Sequence, residues 1–346
     1  VDNSVIVQPL QTLGTSGDAG ARLMANNFDV GVLRPWREEG RGNFMAVNGS
    51  VVPIYNDATL RYDEWKLIDQ RVTAASRLPL RAWSDLLAAS SIVIPNGMGV
   101  STITHQTGSD PGEASVSLDG LTGDSSDRQL FDLTSTPLPI ISSGFQYTLR
   151  ELETGRKLGT PLDVTRAEQA GRRVAEKLER LTLGLDAWTG FGAPLYGYTS
   201  YPSRLTATVT TPDGTNNATV LAEFLDMRQD LIDAKKTGPF RIYVGPSWDK
   251  WLDNDFKANS ALTLRQRLLQ VQGFTSISTL FDLPAYSVVM VQLDSGTADA
   301  ITGMPLMTIQ WDSSGGLVRN FKVMTIAVPR MKKDYNGSCG ILHATV

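Results

Sequence analysis

The sequence predicts an α+β fold, and three observations carry that expectation. One long amphipathic pattern runs over residues 162–185. Helical and strand-like segments alternate from residue 203 to the end. Between residues 96 and 135 a Gly-, Ser-, Thr- and Asp-rich stretch carries short alternations of strand period.

Residues 1–60 read as an arm, rich in Gly, Asn, Ser and Asp, with turn signals at Gly14, Gly17, Gly20 and Asn48-Gly49. Its scattered apolar anchors, such as Val5, Leu10, Phe28 and Val32, build no core, so the arm is expected to borrow a neighbour's surface. The first residue, Val1, fits either initiator Met removal or cleavage by a maturation protease. A helix is predicted from Asp63, with Trp65, Ile68, Val72 and Ala75 on one stripe, and a second apolar group follows at Trp83 to Ile94.

The alternations Val100–Thr104 and Ala114–Leu118 read as two strands of a projecting hairpin, with Val100, Ile103, Val116 and Leu118 as its apolar positions. A hairpin alone is marginal in water, so this one is expected to lie against something else. From Pro137 an apolar extended segment leads through a short polar helix into the long one. Thr160 is placed to cap that helix, Pro161 suits its first position, and Asp163 sits where a capping box would close. Ala167, Ala170, Val174, Leu178, Leu181 and Leu185 recur on one face. Arg172, Arg173, Glu176, Lys177, Glu179 and Arg180 are expected on the opposite, charged face. Such a helix is roughly 35 Å long, a spine for other elements to pack on.

Beyond it come a strand within 203–210, a helix over 218–236 with Leu221, Phe224, Leu225, Met227, Leu231 and Ile232 inward, and a strand at Phe240–Val244. Helices are predicted at 246–256 and 262–271, then strands at 275–279, 287–293, 307–312, 317–329 and 341–345. The last strands are expected to pair back to earlier ones.

The 346 residues suit two domains or one elaborated domain, and their net charge of −4 is spread without a basic tract. That argues against tight, sequence-reading nucleic-acid binding. No run has the apolar length to span a bilayer, so no membrane partner is expected. Cys339 is the sole cysteine, so no intrachain disulfide forms. The two histidines, His105 and His343, lie far apart without ligands at metal spacing, and they read as a solvated side chain and satisfied structure. Asp249, Asp253 and Asp255 do not have the spacing of a calcium loop, and Lys250 and Lys257 interleave with them. No nucleophile elbow or phosphate loop occurs. No catalytic, cofactor or metal site is therefore expected, and function is sought on surfaces.

Residues 138–185 resemble the corresponding part of the encapsulin shell proteins and, through them, the Hong Kong 97-like major capsid proteins of tailed phages. The resemblance rests on the apolar strand, the short helix ending Gly155-Arg156-Lys157-Leu158-Gly159, the segment Thr160-Pro161-Leu162-Asp163 and the Arg172-Arg173-Val174-Ala175-Glu176 helix core. It extends to Trp65, Ile68 and Asp69 in the first helix and to the run 218–271. It implies a Hong Kong 97-like fold with an N-terminal arm at 1–60 and an extended loop at 96–135. The peripheral domain would comprise 61–95, 136–211 and 313–346, and the axial domain 212–312. The loop beginning Asp255, Phe256, Lys257, Ala258, Asn259 and Ser260 would line a symmetry axis.

The implied function is self-assembly as a major capsid protein. Pentamers and hexamers would close an icosahedral shell around phage double-stranded DNA, held without sequence-specific contacts. Scaffolding, portal and decoration proteins are the implied partners. The location would be the virion capsid, assembled in the bacterial host cytoplasm. The alternative is an encapsulin nanocompartment, with Trp65 and Ile68 on the face that docks a cargo enzyme. Sixty residues ahead of the first helix resemble a phage arm more than an encapsulin start. Some phages of this fold weld subunits through a lysine in the extended loop, but residues 96–135 contain Arg128 and no lysine, so shell strength is expected to be noncovalent. A soluble hydrolase or binding protein would instead need a deep pocket with convergent polar groups.

Overall fold

The computed structural model describes residues 44–47, 50–53, 62–77, 81–109, 118, 130–158, 164–257, 262–314, 317–334 and 336–346. In chain order these form β1 (Phe44–Val47), β2 (Ser50–Pro53), α1 (Tyr62–Arg77), α2 (Ala82–Ala89), β3 (Ser91–Val93), β4 (Thr102–Gly108), β5 (Phe131–Pro137) and β6 (Ile141–Thr148). Then come α3 (Leu149–Leu158), α4 (Thr165–Leu183), β7 (Trp188–Gly190), β8 (Ala193–Leu195), β9 (Leu205–Thr208), α5 (Asn217–Asp233) and β10 (Phe240–Val244). The chain closes with α6 (Asp249–Leu252), α7 (Leu264–Leu269), β11 (Phe274–Thr279), β12 (Val288–Gln292), β13 (Ala298–Ser313), β14 (Val318–Met331) and β15 (Ile341–Thr345).

Two sheets organise the molecule. The five-stranded sheet has the order β11-β10-β12-β15-β9, so the C-terminal strand lies inside it between β12 and β9. Period-two alternation divides its side chains between two cores. Phe240, Ile242, Val244, Val288 and Met290 pack beneath α5 with Phe224, Met227 and Trp248. Tyr243, Val289 and Val291 point the other way, into the larger core. Strand β12, Val-Val-Met-Val-Gln, is buried on both faces, which is why it reads as an unbroken apolar run.

The four-stranded sheet has the order β3-β13-β14-β6 and carries the spine helix α4 with α1 and α2. Phe145 stacks on Phe321 across β6 and β14, with centroids 5.0 Å apart, and Tyr147 meets Phe321 edge-on. Strand β13 spans sixteen residues, where only 307–312 reads as strand in the sequence. Register shifts at Thr302/Met304 and Met304/Met307 break its period-two pattern, which hid the first half.

The spine differs from expectation at its start. The described helix begins at Thr165, and Val164 before it supplies no side-chain cap. Thr160, Pro161 and Asp163 lie outside the described residues, as do most of 1–60. At its C-terminus Gly184 takes a left-handed φ of 82°, while Gly184 N–H bonds the Leu181 carbonyl and Leu185 N–H the Arg180 carbonyl. That Schellman arrangement ends the helix at Leu183, not Leu185. Ala167, Ala170, Val174, Leu178 and Leu181 are all buried as predicted. Gly171 is buried between them, and a Cβ there would sit 2.8 Å from the Val72 carbonyl oxygen, so glycine sets how closely α1 and α4 approach. In α5, Leu225 is exposed and Val220 is buried in its place.

Candidate assembly surfaces

The projecting hairpin is β4 paired antiparallel with β5, Thr102 opposite Pro137 and Gly108 opposite Phe131. This corrects the predicted partner. Residues 114–117 lie outside the described residues, and Leu118 is a fully exposed bend, not a strand residue. The second strand is 131–137, where Phe-Asp-Leu-Thr-Ser-Thr alternates and abuts the apolar run after Pro137. Val100 and Ile103 are half-buried and anchor the hairpin's base on the larger core. Val116 lies outside the described residues. Further out, Leu130, Phe131 and Leu133 are each more than 60% exposed, which an isolated subunit gains nothing from.

Beside β5 stands the two-stranded ribbon of β7 and β8. Its turn places Phe191 at φ 53° and Gly192 at φ 76°. A phenylalanine in left-handed backbone costs about 1–2 kcal/mol, yet its ring is 73% exposed. Between ribbon and hairpin lies a cleft of about 350 Å³, lined by Leu133, Thr134, Gly192, Tyr196, Tyr201 and Arg330. Burial pushes the Tyr201 hydroxyl up to about 12. The cleft brings no nucleophile to a base, and Arg330 is spent on the Asp299 carboxylate.

The loop after α6 is held at its neck. Phe256 N–H bonds the Leu262 carbonyl at 2.9 Å, and Leu264 N–H bonds the Asn254 carbonyl at 3.0 Å. Asn217 Nδ2 donates to the Asp255 carbonyl at 2.8 Å, tying the loop to the start of α5. Thr263 and Gln266 form a reciprocal capping box on α7. Phe256 packs half-buried on the second core, while Asp255 and Lys257 are exposed. Ala258, Asn259 and Ser260 lie outside the described residues. Arg265 bridges Asp249 and Asp253, at 2.8 Å to each, so these carboxylates neutralise an arginine. Among the described residues no three metal-ligating side chains cluster.

The sequence places Glu179 on the charged face of the spine, and the structure overturns this. Its carboxylate is buried and accepts the N–H groups of Arg81, Ala82 and Trp83 at 3.1, 2.7 and 3.0 Å, the otherwise orphaned donors at the start of α2. Burial pushes the Glu179 carboxyl above its ordinary value, opposed by those three N–H groups. Asp85 one turn on pairs with Arg241 and accepts from the Tyr243 hydroxyl at 2.9 Å, locking α2 to β10. Ile68 is buried against the spine as ordinary helix packing, and the side chain of Trp65 lies outside what is described. His343 Nε2 is 2.9 Å from Ser287 Oγ, satisfied as expected. His105, read as solvated, is instead half-buried with Nδ1 enclosed.

A spine helix laid on a four-stranded sheet, a five-stranded sheet extending to a necked loop, and a hairpin thrown off the body together define the Hong Kong 97-like fold of capsid and encapsulin shells. The chain belongs to the family of unknown function DUF6260, whose model matches residues 53–344. It is similar to the virus-like particle of Pyrococcus furiosus at 14% identity and TM-score 0.57, covering 81% of this chain and 98% of that one. The capsid of Myoviridae phage XM1 matches at 12% identity and TM-score 0.57, over 74% of this chain and 90% of that one. A chain of Mycobacterium phage Bobi matches at 11% identity and TM-score 0.55, over 76% and 90%. No curated protein matches the sequence. None of the described helices is long and apolar enough to cross a membrane.

Proposed function

We propose that this protein is a major capsid protein that assembles into a closed icosahedral shell around phage double-stranded DNA. The observation that carries the reading is the Hong Kong 97-like fold together with a hairpin and ribbon that hold Phe131, Leu133 and Phe191 out in solvent. In a symmetric shell each such surface is covered by the next copy. Pentamers and hexamers would meet at the Asp255–Ser260 loop, whose neck is braced from two elements. The near-neutral charge suits diffuse contact with enclosed DNA, and scaffolding, portal and decoration proteins would be its partners during assembly in the host cytoplasm.

The domain division is part of this proposal: arm 1–60, extended loop 96–135, peripheral domain 61–95, 136–211 and 313–346, axial domain 212–312. In that division the four-stranded sheet takes β13 from the axial domain, and the five-stranded sheet takes β9 and β15 from the peripheral domain. An encapsulin shell around a cargo enzyme is the second reading, favoured by the likeness to nearly the whole of the Pyrococcus particle subunit. Burial of Ile68 in the subunit's own core argues against cargo docking at that side chain.

Electron microscopy of the purified protein from its native source, with nuclease-protected nucleic acid assayed on the same fraction, tests both. Closed shells holding double-stranded DNA support the capsid. Shells holding protein alone make it a nanocompartment, and a dispersed monomer overturns both.

A further inference from the structure

Where the projecting hairpin leaves the body, it sits over an enclosed group of charges. Asp299 on β13 is 1% exposed as a side chain and collects three partners: the Arg330 guanidinium, the Lys332 ammonium at 2.7 Å and the Ser90 hydroxyl at 2.7 Å. One carboxylate thus faces two cations, so the group carries net positive charge. His105, in the middle of β4, pairs across the hairpin with Thr134 of β5, which lines the same cleft as Arg330. Its Nδ1 is buried and has no hydrogen-bond partner. Within the hairpin, Asp132 is the carboxylate that acts on it; from the body, Arg330 and Lys332 oppose a positive ring and Asp299 favours one.

A neutral imidazole tolerates this position, because the unpartnered Nδ1 need only be a bare lone pair. An imidazolium does not. Its second N–H would point into protein with nothing to accept it, beside two cations that a single carboxylate already serves. The relief open to the structure is local: β5 is exposed over its first five residues and β4 alternates exposed with half-buried positions, while the hairpin is anchored at its base by Val100, Ile103 and the buried Thr136, Pro137 and Leu138. Opening the strands beyond Ile103 hydrates the ring and leaves those anchors in place.

We propose that His105 is a proton-operated latch, which holds the projecting hairpin down on the body when neutral and releases it when protonated. The inference concerns the subunit and does not depend on what a shell encloses. Burial, with Arg330 and Lys332, lowers the proton affinity of the ring below its ordinary value of 6.5. A group depressed in the closed state opposes closure as pH falls. The opening equilibrium therefore rises by up to about tenfold per pH unit from pH 6.5 downward, until the closed-state value is passed.

Hydrogen exchange resolved by mass spectrometry, corrected for intrinsic rates, reads this opening directly on peptides covering β4 and β5. In the wild-type protein, protection of these strands is expected to fall at least fivefold between pH 7.5 and pH 5, while α4 and β12 hold theirs. His105→Gln, neutral at every pH, should abolish the dependence, and His343→Gln should leave it intact. Lys332→Met removes one opposing cation and should move the midpoint to higher pH, a shift that a merely structural role for His105 would not produce. Flat protection in the wild type, an unchanged profile in His105→Gln, or an unmoved midpoint in Lys332→Met would each overturn the latch.

Discussion

Single side chains carry more of this fold's cohesion than their spacing announces. Glu179 reads as one more charge on an amphipathic helix because its three partners lie 96 to 98 residues upstream, where periodicity has no reach. Removing it leaves three buried or half-buried N–H groups without acceptors. Glu179→Ala is therefore expected to lower unfolding free energy by about 3 kcal/mol, and Glu179→Gln, which keeps an acceptor oxygen, by about half that. Urea denaturation measures both; a loss below about 1 kcal/mol in the alanine variant contradicts the cap. Asp186 offers a pH test. Hydrogen bonding to Arg180, with Lys177 beside it, holds its carboxyl at about 2 against an ordinary 3.8. A lowered carboxyl stabilises the fold above pH 3.8, and that stabilisation fades as pH falls toward 2. Asp186→Asn should thus cost up to about 2 kcal/mol at pH 7. The gap from wild type should close progressively below pH 4; a gap independent of pH would mean that the ion pair is not its source.

At the scale of elements, legibility follows the period. The spine helix, α5, β10 and β15 were readable because their buried faces repeat without interruption. The first half of β13 was not, since two bulges move its side chains off alternation. Period alone does not identify the hairpin partner, since Ala114–Leu118 and Phe131–Pro137 both alternate, and the pairing of β4 with β5 is tertiary. Gly171 shows what a pattern of apolar residues leaves out: a gap in the side-chain face can be the contact itself. Gly171→Val should push α1 off the spine and cost about 2–3 kcal/mol, whereas a neutral substitution at exposed Arg173 should cost under about 0.5 kcal/mol. Calorimetric melting separates the two, and equal shifts would refute close helix–helix approach as the reason for glycine. Glu176→Pro tests the spine's continuity. Its side chain is partly exposed and, among the described residues, pairs with Arg172 alone, so the loss of at least about 3 kcal/mol is the backbone's own. A soluble, cooperatively folded Glu176→Pro variant would show that α4 is not the mechanical centre of the larger core.

For the whole molecule, the question is why a chain with two complete cores still exposes Phe131, Leu133, Phe191 and Phe281. In the proposed shell, burial in a neighbouring copy would answer it at no cost to the subunit's own folding. Fold and assembly are then separable, and the arm is where the separation can be measured. Every described member of either core lies at Ile68 or beyond, and the matched family model itself begins at residue 53. Deleting residues 1–40 removes none of these described members. The truncated chain should keep the urea midpoint of the full-length protein within about 0.5 kcal/mol. Its shells, if the arm ties copies together, should form at higher protein concentration and dissociate at lower denaturant than those of the full chain. Light scattering after size exclusion follows the second quantity and circular dichroism the first. Loss of cooperative unfolding would show that the arm belongs to the subunit's core. Shells as robust as the full-length ones would leave the hairpin, ribbon and axial loop as the contacts that hold the particle closed.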